Sequence, residues 1–263
     1  MTNADLRTLG YALPEVPVVP AGPRFLVETL TMPAGPHVGL QNAARDALCS
    51  AAVGRGVTPV ISATWEDLEA LNRANLGSWL PLMRRPDGSD WFWLGAVDER
   101  GEVVATQGAA LVDCTVASFG DRLSDLSFFS GRRAPGERCF CASPTAFETR
   151  GRVAYVTAGW THPDARGRGL FPLLGRLVRL VAWARWAPSW WVGMVSDAVA
   201  PQWSEAKAGR RFLESRPTIL YQNPAAGFDY PPYRLLRFCR AGVLLDLQEV
   251  SAAGSRTTPN AAA

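Results

Sequence analysis

Hydrophobic residues follow two different periods along the chain, and their succession predicts an α/β protein. Residues 170–186, LFPLLGRLVRLVAWARW, carry an apolar stripe of leucine and valine at helical spacing. The segments on either side of it, 152–162 and 190–196, are short and rich in β-branched and aromatic residues, which is typical of strands. The order strand, helix, strand predicts a crossover between two parallel strands.

The rest of the chain extends this pattern. Gly101 lies in a tight turn between two apolar segments, which predicts an antiparallel hairpin. Thr64 and Asp67 have the spacing of a capping box at a helix start. Further helices are predicted over residues 41–56, 64–83 and 204–215, a short helix over 121–129, and strands over 57–62, 91–99, 102–116, 218–223 and 233–250.

Composition divides the chain into a central body and two ends. Residues 1–23 are proline-rich and residues 251–263 are small and polar, so both are predicted to be flexible tails. Residues 24–56 are predicted to form an N-terminal extension with a helix, and residues 57–250 to form the main domain. Residues 23–56 and 117–150 are expected to shape a substrate cleft.

The overall composition excludes several classes of protein. A formal net charge of +3 argues against a general nucleic-acid or membrane-surface binder. Five scattered cysteines argue against a disulfide framework, and Cys139 and Cys141 could bind a metal only with partners elsewhere, so we expect no metal. The chain shows no signal peptide and no apolar run of membrane-spanning length, so we expect a cytoplasmic protein that does not contact membranes.

A glycine-rich turn separates the strand at 152–162 from the helix at 170–186. Pro163 ends the strand, and Gly167 and Gly169 let the backbone approach a ligand closely. The first N–H groups of a helix have no intrahelical partner, and the helix dipole favours an anion at the same end. The turn therefore predicts a phosphate or pyrophosphate site, although it matches neither GxxxxGK[ST] nor GxGxxG.

The same turn resembles the signature of the GNAT superfamily of acyl-CoA-dependent N-acyltransferases. That signature, [Q/R]-x-x-G-x-[G/A], corresponds here to Arg166, Gly167, Arg168, Gly169, Leu170 and Phe171. Phe171 departs from it, because the family usually has glycine or alanine there. The order of predicted elements over residues 57–250 is also similar to that fold, a mixed and mostly antiparallel central sheet flanked by helices, here with an N-terminal helical extension.

The resemblance implies a co-substrate and its binding residues. The amides of residues 166–171 would hold the pyrophosphate of acetyl-CoA or another acyl-CoA. The strand end at Gly159, Trp160 and Thr161 would contact the pantetheine arm and the acyl carbonyl. On the helix, Arg176, Arg179 and Arg185 are predicted to lie on a solvated face, from which one of them could meet the CoA 3′-phosphate.

Catalytic residues are harder to place. The family often uses a carboxylate as base and a tyrosine as acid, but residues 155–161 contain no acidic residue, and Leu213 stands where the tyrosine is usual. Tyr221 is a candidate acid, with a core tyrosine as the alternative. Asp197 is a candidate base or amine ligand, with a helix-capping aspartate as the alternative.

These features predict an N-acetyltransferase that moves an acetyl or short acyl group from acyl-CoA to an amine of a small molecule or peptide by direct transfer. The alternative is a non-catalytic acyl-CoA-binding sensor or interaction domain. A GNAT-like aminoacyl transferase that uses charged tRNA would need a basic surface stripe, which the net charge of +3 opposes. A homodimer is compatible with either main function.

Overall fold

The computed structural model describes residues 24–86, 90–204 and 211–257. Its strands form one sheet in the order β1-β2-β3-β4-β6-β7-β10-β9-β5, with β8 paired to β10. The strands are β1 (Phe25–Leu26), β2 (Val57–Ser62), β3 (Trp91–Asp98), β4 (Val103–Cys114), β5 (Arg138–Cys141), β6 (Gly151–Thr161), β7 (Trp190–Ser196), β8 (Phe212–Leu213), β9 (Ile219–Gln222) and β10 (Tyr233–Cys239).

Helices cover both faces of this sheet. They are α1 (Val38–Val53), α2 (Trp65–Ala74), α3 (Phe119–Ser124), α4 (Pro144–Glu148), α5 (Leu170–Trp186), α6 (Pro201–Ser204) and α7 (Arg240–Thr257). Within the described residues, β6 and β7 are parallel and every other named pair is antiparallel. The predicted fold class, a mixed and mostly antiparallel sheet flanked by helices, is confirmed.

The β6–α5–β7 crossover forms as predicted. Helix α5 spans residues 170–186, and its apolar stripe, which includes Leu174 and Leu177, is buried in the main core. Two arginines depart from the predicted pattern. Arg179 was expected on a solvated face, but it is only 5% exposed because α7 covers that side of α5. The Arg185 side chain, expected on the same face, is only 16% exposed and forms an ion pair with Asp90.

The C-terminal part of the chain differs from the prediction. Residues 240–257 form helix α7, so the predicted strand over 240–250 and the predicted tail from 251 to 257 are wrong. Val243 and Leu247 are buried one helical turn apart, and a Cβ atom at Gly254 would lie 2.7 Å from Ala47 Cβ. Packing of α7 against α1 therefore keeps the chain helical where its composition suggests a tail.

Two local predictions also need correction. Phe212 and Leu213 form strand β8, not the end of a helix, and residues 205–210 of that predicted helix lie outside the described residues. Helix α2 begins after Thr64, but the Thr64 side chain makes no capping hydrogen bond. A capping box does form at α3, where the Ser118 hydroxyl accepts from the Asp121 N–H and the Asp121 carboxylate accepts from Ser118.

Residues 24–56, which precede β2, join the main core. Strand β1 pairs with β2, and α1 packs against α5 and α7. All five cysteines are free, and the described part of the chain has no group of three or more His, Cys, Asp or Glu placed to hold a metal. None of the described helices combines the length and apolar character needed to cross a membrane.

Candidate functional site

A cleft opens where β6 and β7 separate. The two strands pair over only four residues, from Val153 opposite Trp190 to Val156 opposite Gly193, and beyond this point they diverge. The cleft has a volume of about 710 Å³. Its walls come from residues 78–83, 155–161, 169–172 and 191–196. Ligands of such sheets bind at the carboxyl ends of diverging parallel strands, and this cleft has that position.

A β-bulge in β6 shapes one wall. The register between β4 and β6 shifts between Thr106 and Gly108, and Ala158 has a φ of 54°. The Thr106 hydroxyl donates to the Ala158 carbonyl at 2.7 Å, which holds the bulge in place. A bulge leaves one residue unpaired in the ladder, and here residues 158 and 159 lie between the paired residues Thr157 and Trp160.

The glycine turn lies at the mouth of the cleft. Gly167 and Gly169 have φ angles of 78° and 69°, which favour glycine, and Gly169 is the N-cap of α5. Within the described residues, the N–H groups of residues 167–171 donate to no acceptor. Pro172 brings no further N–H to this first turn. The predicted anion site therefore has a row of unpaired amide donors.

Hydrogen bonds between two arginines connect the glycine turn to the end of α1. Arg55, at the end of α1, donates from Nε to the Arg168 carbonyl at 2.9 Å, and Arg168 donates from Nη2 to the Arg55 carbonyl. Arg166 instead lines the cleft and contacts the Thr161 and Ser78 carbonyls at 3.4 and 3.5 Å. Arg168, which was predicted to contact the co-substrate, is not among the residues that line the cleft, and its side chain is bonded to Arg55.

Phe171 fits because Gly159 has no side chain. A Cβ atom at Gly159 would lie 2.9 Å from Phe171 Cε2, so the aromatic ring occupies that space. Both residues line the cleft, as do Trp160, Thr161 and Leu170 among the other predicted co-substrate contacts. The departure from the GNAT signature at position 171 is therefore accommodated on β6.

The wall opposite the turn is apolar and aromatic. Trp79 stacks on Trp160 with ring centroids 5.0 Å apart, and Trp160 Nε1 donates to the Ser78 hydroxyl at 3.1 Å. Leu80 and Met83 continue this wall along the loop that follows α2. This loop fixes the orientation of Trp160 and faces the opening of the cleft.

The two predicted catalytic residues lie away from the cleft. Tyr221 is fully buried in a separate core cluster, where its hydroxyl donates to Glu137 at 2.7 Å, and burial raises its pKa. Asp197 is exposed and accepts from Arg234 Nε at 2.6 Å. The structure therefore matches the core alternative for Tyr221 and gives Asp197 an ion pair in place of a cleft position.

Another tyrosine, which the sequence did not single out, does line the cleft. Tyr233 opens β10 opposite Ser196, and its hydroxyl has no hydrogen-bond partner among the described residues. Tyr155 also lines the cleft, whereas the hydroxyls of Tyr221 and Tyr230, which do not line it, donate to Glu137 and to the Leu82 carbonyl. Burial raises the pKa of Tyr233, so this phenol is protonated at neutral pH.

Comparisons with known proteins give distant structural similarities. No protein-family model and no curated protein matches the chain. Arabidopsis thaliana NAA60 in complex with acetyl-CoA is 16% identical over 70% of this chain and 99% of that chain, with a TM-score of 0.38. The GNAT domain of S. lividans PAT is 17% identical over 69% and 90%, with a TM-score of 0.37. FeeM, an N-acyl amino acid synthase from uncultured soil microbes, is 10% identical over 86% and 96%, with a TM-score of 0.36.

The described residues have the fold that the sequence resemblance implied. It is a mixed sheet whose two parallel strands diverge at a bulge, next to a glycine turn that opens the crossover helix.

Proposed function

We propose that this protein is an acyl-CoA-dependent N-acyltransferase that moves an acetyl or another short acyl group directly to an amine of a small molecule or peptide. The observation that carries this proposal is a single cleft that joins the unpaired amides of residues 167–171, the β6 bulge and the free hydroxyl of Tyr233. Phosphate binding, acyl orientation and proton donation would then occur along one path.

The co-substrate would enter along α5. Its pyrophosphate would accept hydrogen bonds from the amides of residues 167–171, where the helix dipole favours negative charge. Its pantetheine arm would follow Gly159, Trp160 and Thr161 into the gap between β6 and β7. The thioester carbonyl would then lie at the bulge, where a backbone N–H can stabilise the developing oxyanion.

The transfer needs few side chains. The nitrogen lone pair of the acceptor attacks the thioester carbonyl carbon, the C–N bond forms, and the C–S bond breaks with its electron pair leaving on sulfur. Tyr233 gives its phenolic proton to the departing thiolate. Water carries the proton that the amine loses, and the tyrosinate regains a proton from that water. Orientation in the cleft supplies most of the rate enhancement.

The acceptor would bind on the aromatic side of the cleft. Trp79, Leu80 and Met83 line this side and offer apolar surface next to Trp160. An amine that carries an aromatic or aliphatic group would bury that group against these residues.

A second candidate function is a non-catalytic acyl-CoA-binding domain. The observation that favours it is the position of Tyr221 and Asp197, both of which are engaged elsewhere and away from the cleft. This candidate predicts CoA binding without turnover, so amine-dependent release of free CoA would exclude it.

The first experiment is calorimetric titration of the purified protein with acetyl-CoA. We expect saturable one-site binding that weakens about tenfold or more in Gly169→Asp, because the new carboxylate repels the pyrophosphate. Gly227→Asp is the matched control, since Gly227 also caps a helical turn with a positive φ, 64°, and lies outside the cleft. Equal affinity in the two variants would contradict the placement of the pyrophosphate.

A further inference from the structure

The cleft has a polar inner end beneath α5. Gln107 on β4 and Arg179 on α5 both line the cleft, and they are only 4% and 5% exposed. Arg179 follows Phe171 by eight residues on the same helix, which places its Cα about 12 Å further along the helix axis. Gln107 lies across from the β6 bulge, where a Cβ atom at Gly159 would be 3.4 Å from Gln107 Nε2. The inner end therefore begins at the bulge and continues along α5 to Arg179.

Arg179 does not use all of its hydrogen-bond donors. It donates from Nη2 to Asp246 at 3.1 Å, and its guanidinium lies 4.3 Å from the centroid of the Phe238 ring. Its Nε and Nη1 donate to no acceptor among the described residues. Burial lowers the pKa of Arg179 to about 10, an effect that the charge of Asp246 opposes and the charges of Arg176 and Arg211 increase, so the guanidinium stays charged at neutral pH. A buried, charged guanidinium therefore keeps unused donors.

Gln107 faces the same space. Its buried Oε1 has no hydrogen-bond partner, which is unusual for a buried amide. A Cβ atom at Gly175 would lie 3.2 Å from Gln107 Oε1 and 3.6 Å from Arg179 Nη1. Glycine is unfavourable in a helix interior, and here it leaves room for both polar groups. The amide of Gln107 can also turn to present its NH₂ donors.

We propose, on the basis of the acyl-transfer function above, that this inner end binds a carboxylate at the far end of the acyl group. The preferred donor is then the CoA thioester of a short dicarboxylic acid. The carboxylate accepts from Arg179 Nη1 and Nε and from the amide of Gln107, while Trp191, Leu236 and Phe238 contact the methylene carbons. An acetyl group has no carboxylate to accept from these donors.

The test compares acyl-CoAs of equal length. Succinyl-CoA is titrated against butanoyl-CoA, and adipoyl-CoA against hexanoyl-CoA, with CoA itself as the common reference. Within at least one pair we expect the carboxylated thioester to bind about tenfold or more tightly, because charge-assisted hydrogen bonds replace unpaired donors.

Substitutions identify the residues that cause the preference for the carboxylated thioester. Arg179→Met should abolish the preference while the affinity for CoA stays within about twofold, and Arg176→Met, on the same helix and half-buried, should retain it. Gln107→Leu keeps the arginine and should reduce the preference, so the test does not depend on the folding of Arg179→Met. Circular dichroism and CoA affinity report on folding in each case.

The outcomes separate the two proposals. A carboxylate preference that disappears in Arg179→Met supports the inference. Equal affinity within both pairs, with CoA binding intact, overturns the inference and leaves the acyltransferase proposal standing. Failure of every CoA compound to bind overturns the acyltransferase proposal, and the inference with it.

Discussion

The aromatic ring of Phe171 occupies the space where a side chain at Gly159 would begin, with only 2.9 Å between Phe171 Cε2 and the position of a Cβ at residue 159. The φ angle of Gly159 is not in the left-handed region, so alanine would be strained there by this contact and not by the backbone. The two residues therefore depend on each other.

Gly159→Ala should lower the free energy of unfolding by about 1–3 kcal/mol through overpacking against Phe171. Phe171→Ala in the same chain should relieve this contact, so the double variant should be more stable than the sum of the single effects predicts. Urea unfolding of the four proteins measures the coupling. Strictly additive changes would show that the ring and the glycine are independent.

Removal of the Arg84 charge should destabilise the fold strongly. The Glu137 side chain is fully buried, forms an ion pair with Arg84, and accepts from the Tyr221 hydroxyl and the Ala134 N–H. Arg84→Met leaves this carboxylate without its cation, which typically costs about 3–5 kcal/mol. Denaturant unfolding checks this value against Arg132→Met, an exposed arginine nearby. A loss below about 1 kcal/mol would contradict the pairing.

Tyr233→Phe should reduce kcat by about 100-fold while the affinity for acyl-CoA stays the same, because the change removes only the proton donor. Tyr230→Phe is the control, since Tyr230 does not line the cleft and its hydroxyl donates to the Leu82 carbonyl. Steady-state thiol release measures both variants. A smaller effect in Tyr233→Phe than in Tyr230→Phe would assign the proton donor elsewhere.

With Tyr233 as the proton donor, its raised pKa predicts how kcat depends on pH. A proton donor acts below its pKa, and burial moves the pKa of this phenol above the usual value of about 10. The dependence of kcat on pH should therefore show no alkaline fall from this group below about pH 10. An alkaline limb near pH 8 that vanishes in Tyr233→Phe would contradict the raised pKa.

The capping box of α3 should make stability depend on pH in the acid range. Hydrogen bonds from Ser118 lower the pKa of Asp121 below its value in the unfolded chain. Its stabilising effect is therefore present above the unfolded pKa of about 3.9 and is lost as the pH falls through the folded value. Asp121→Asn should remove this part of the pH dependence, whereas Asp229→Asn, at an exposed position, should not. Unfolding free energies at pH 3 and pH 7 give the comparison.

Local patterns in the sequence were sufficient to predict the elements around the glycine turn. Helix α5 runs over the predicted residues because glycine precedes it, its stripe has helical spacing, and Pro188 follows it. The sequence pattern merges strand β10 and helix α7 into one strand, because α7 begins at Arg240 directly after β10 ends at Cys239, with no connecting turn to mark the boundary. At this boundary the chain stops pairing with β7 and begins to pack against α1. A local sequence pattern carries no information about that change.

The polar residues of the cleft could not be predicted in the same way. Gln107 and Arg179 are far apart in sequence, and each looks ordinary in its own element. The role proposed for Tyr233 depends on its position in the cleft and on its unpaired hydroxyl, whereas Tyr221 and Tyr230 have hydroxyl partners, and only the folded chain reveals this difference. The register of β10 on β7 is the missing information, since it places Tyr233 opposite Ser196.

The short pairing between β6 and β7 also divides the sheet into two halves. Residues 153–156 and 190–193 provide the ladder between these two strands, with β1, β2, β3 and β4 on one side and β10, β9 and β5 on the other. This short ladder, called the seam here, is the connection between the two halves of the sheet. Amide protons at the seam should exchange with solvent when the two halves separate, and a ligand that bridges both strands should slow that exchange without touching the exchanging residues.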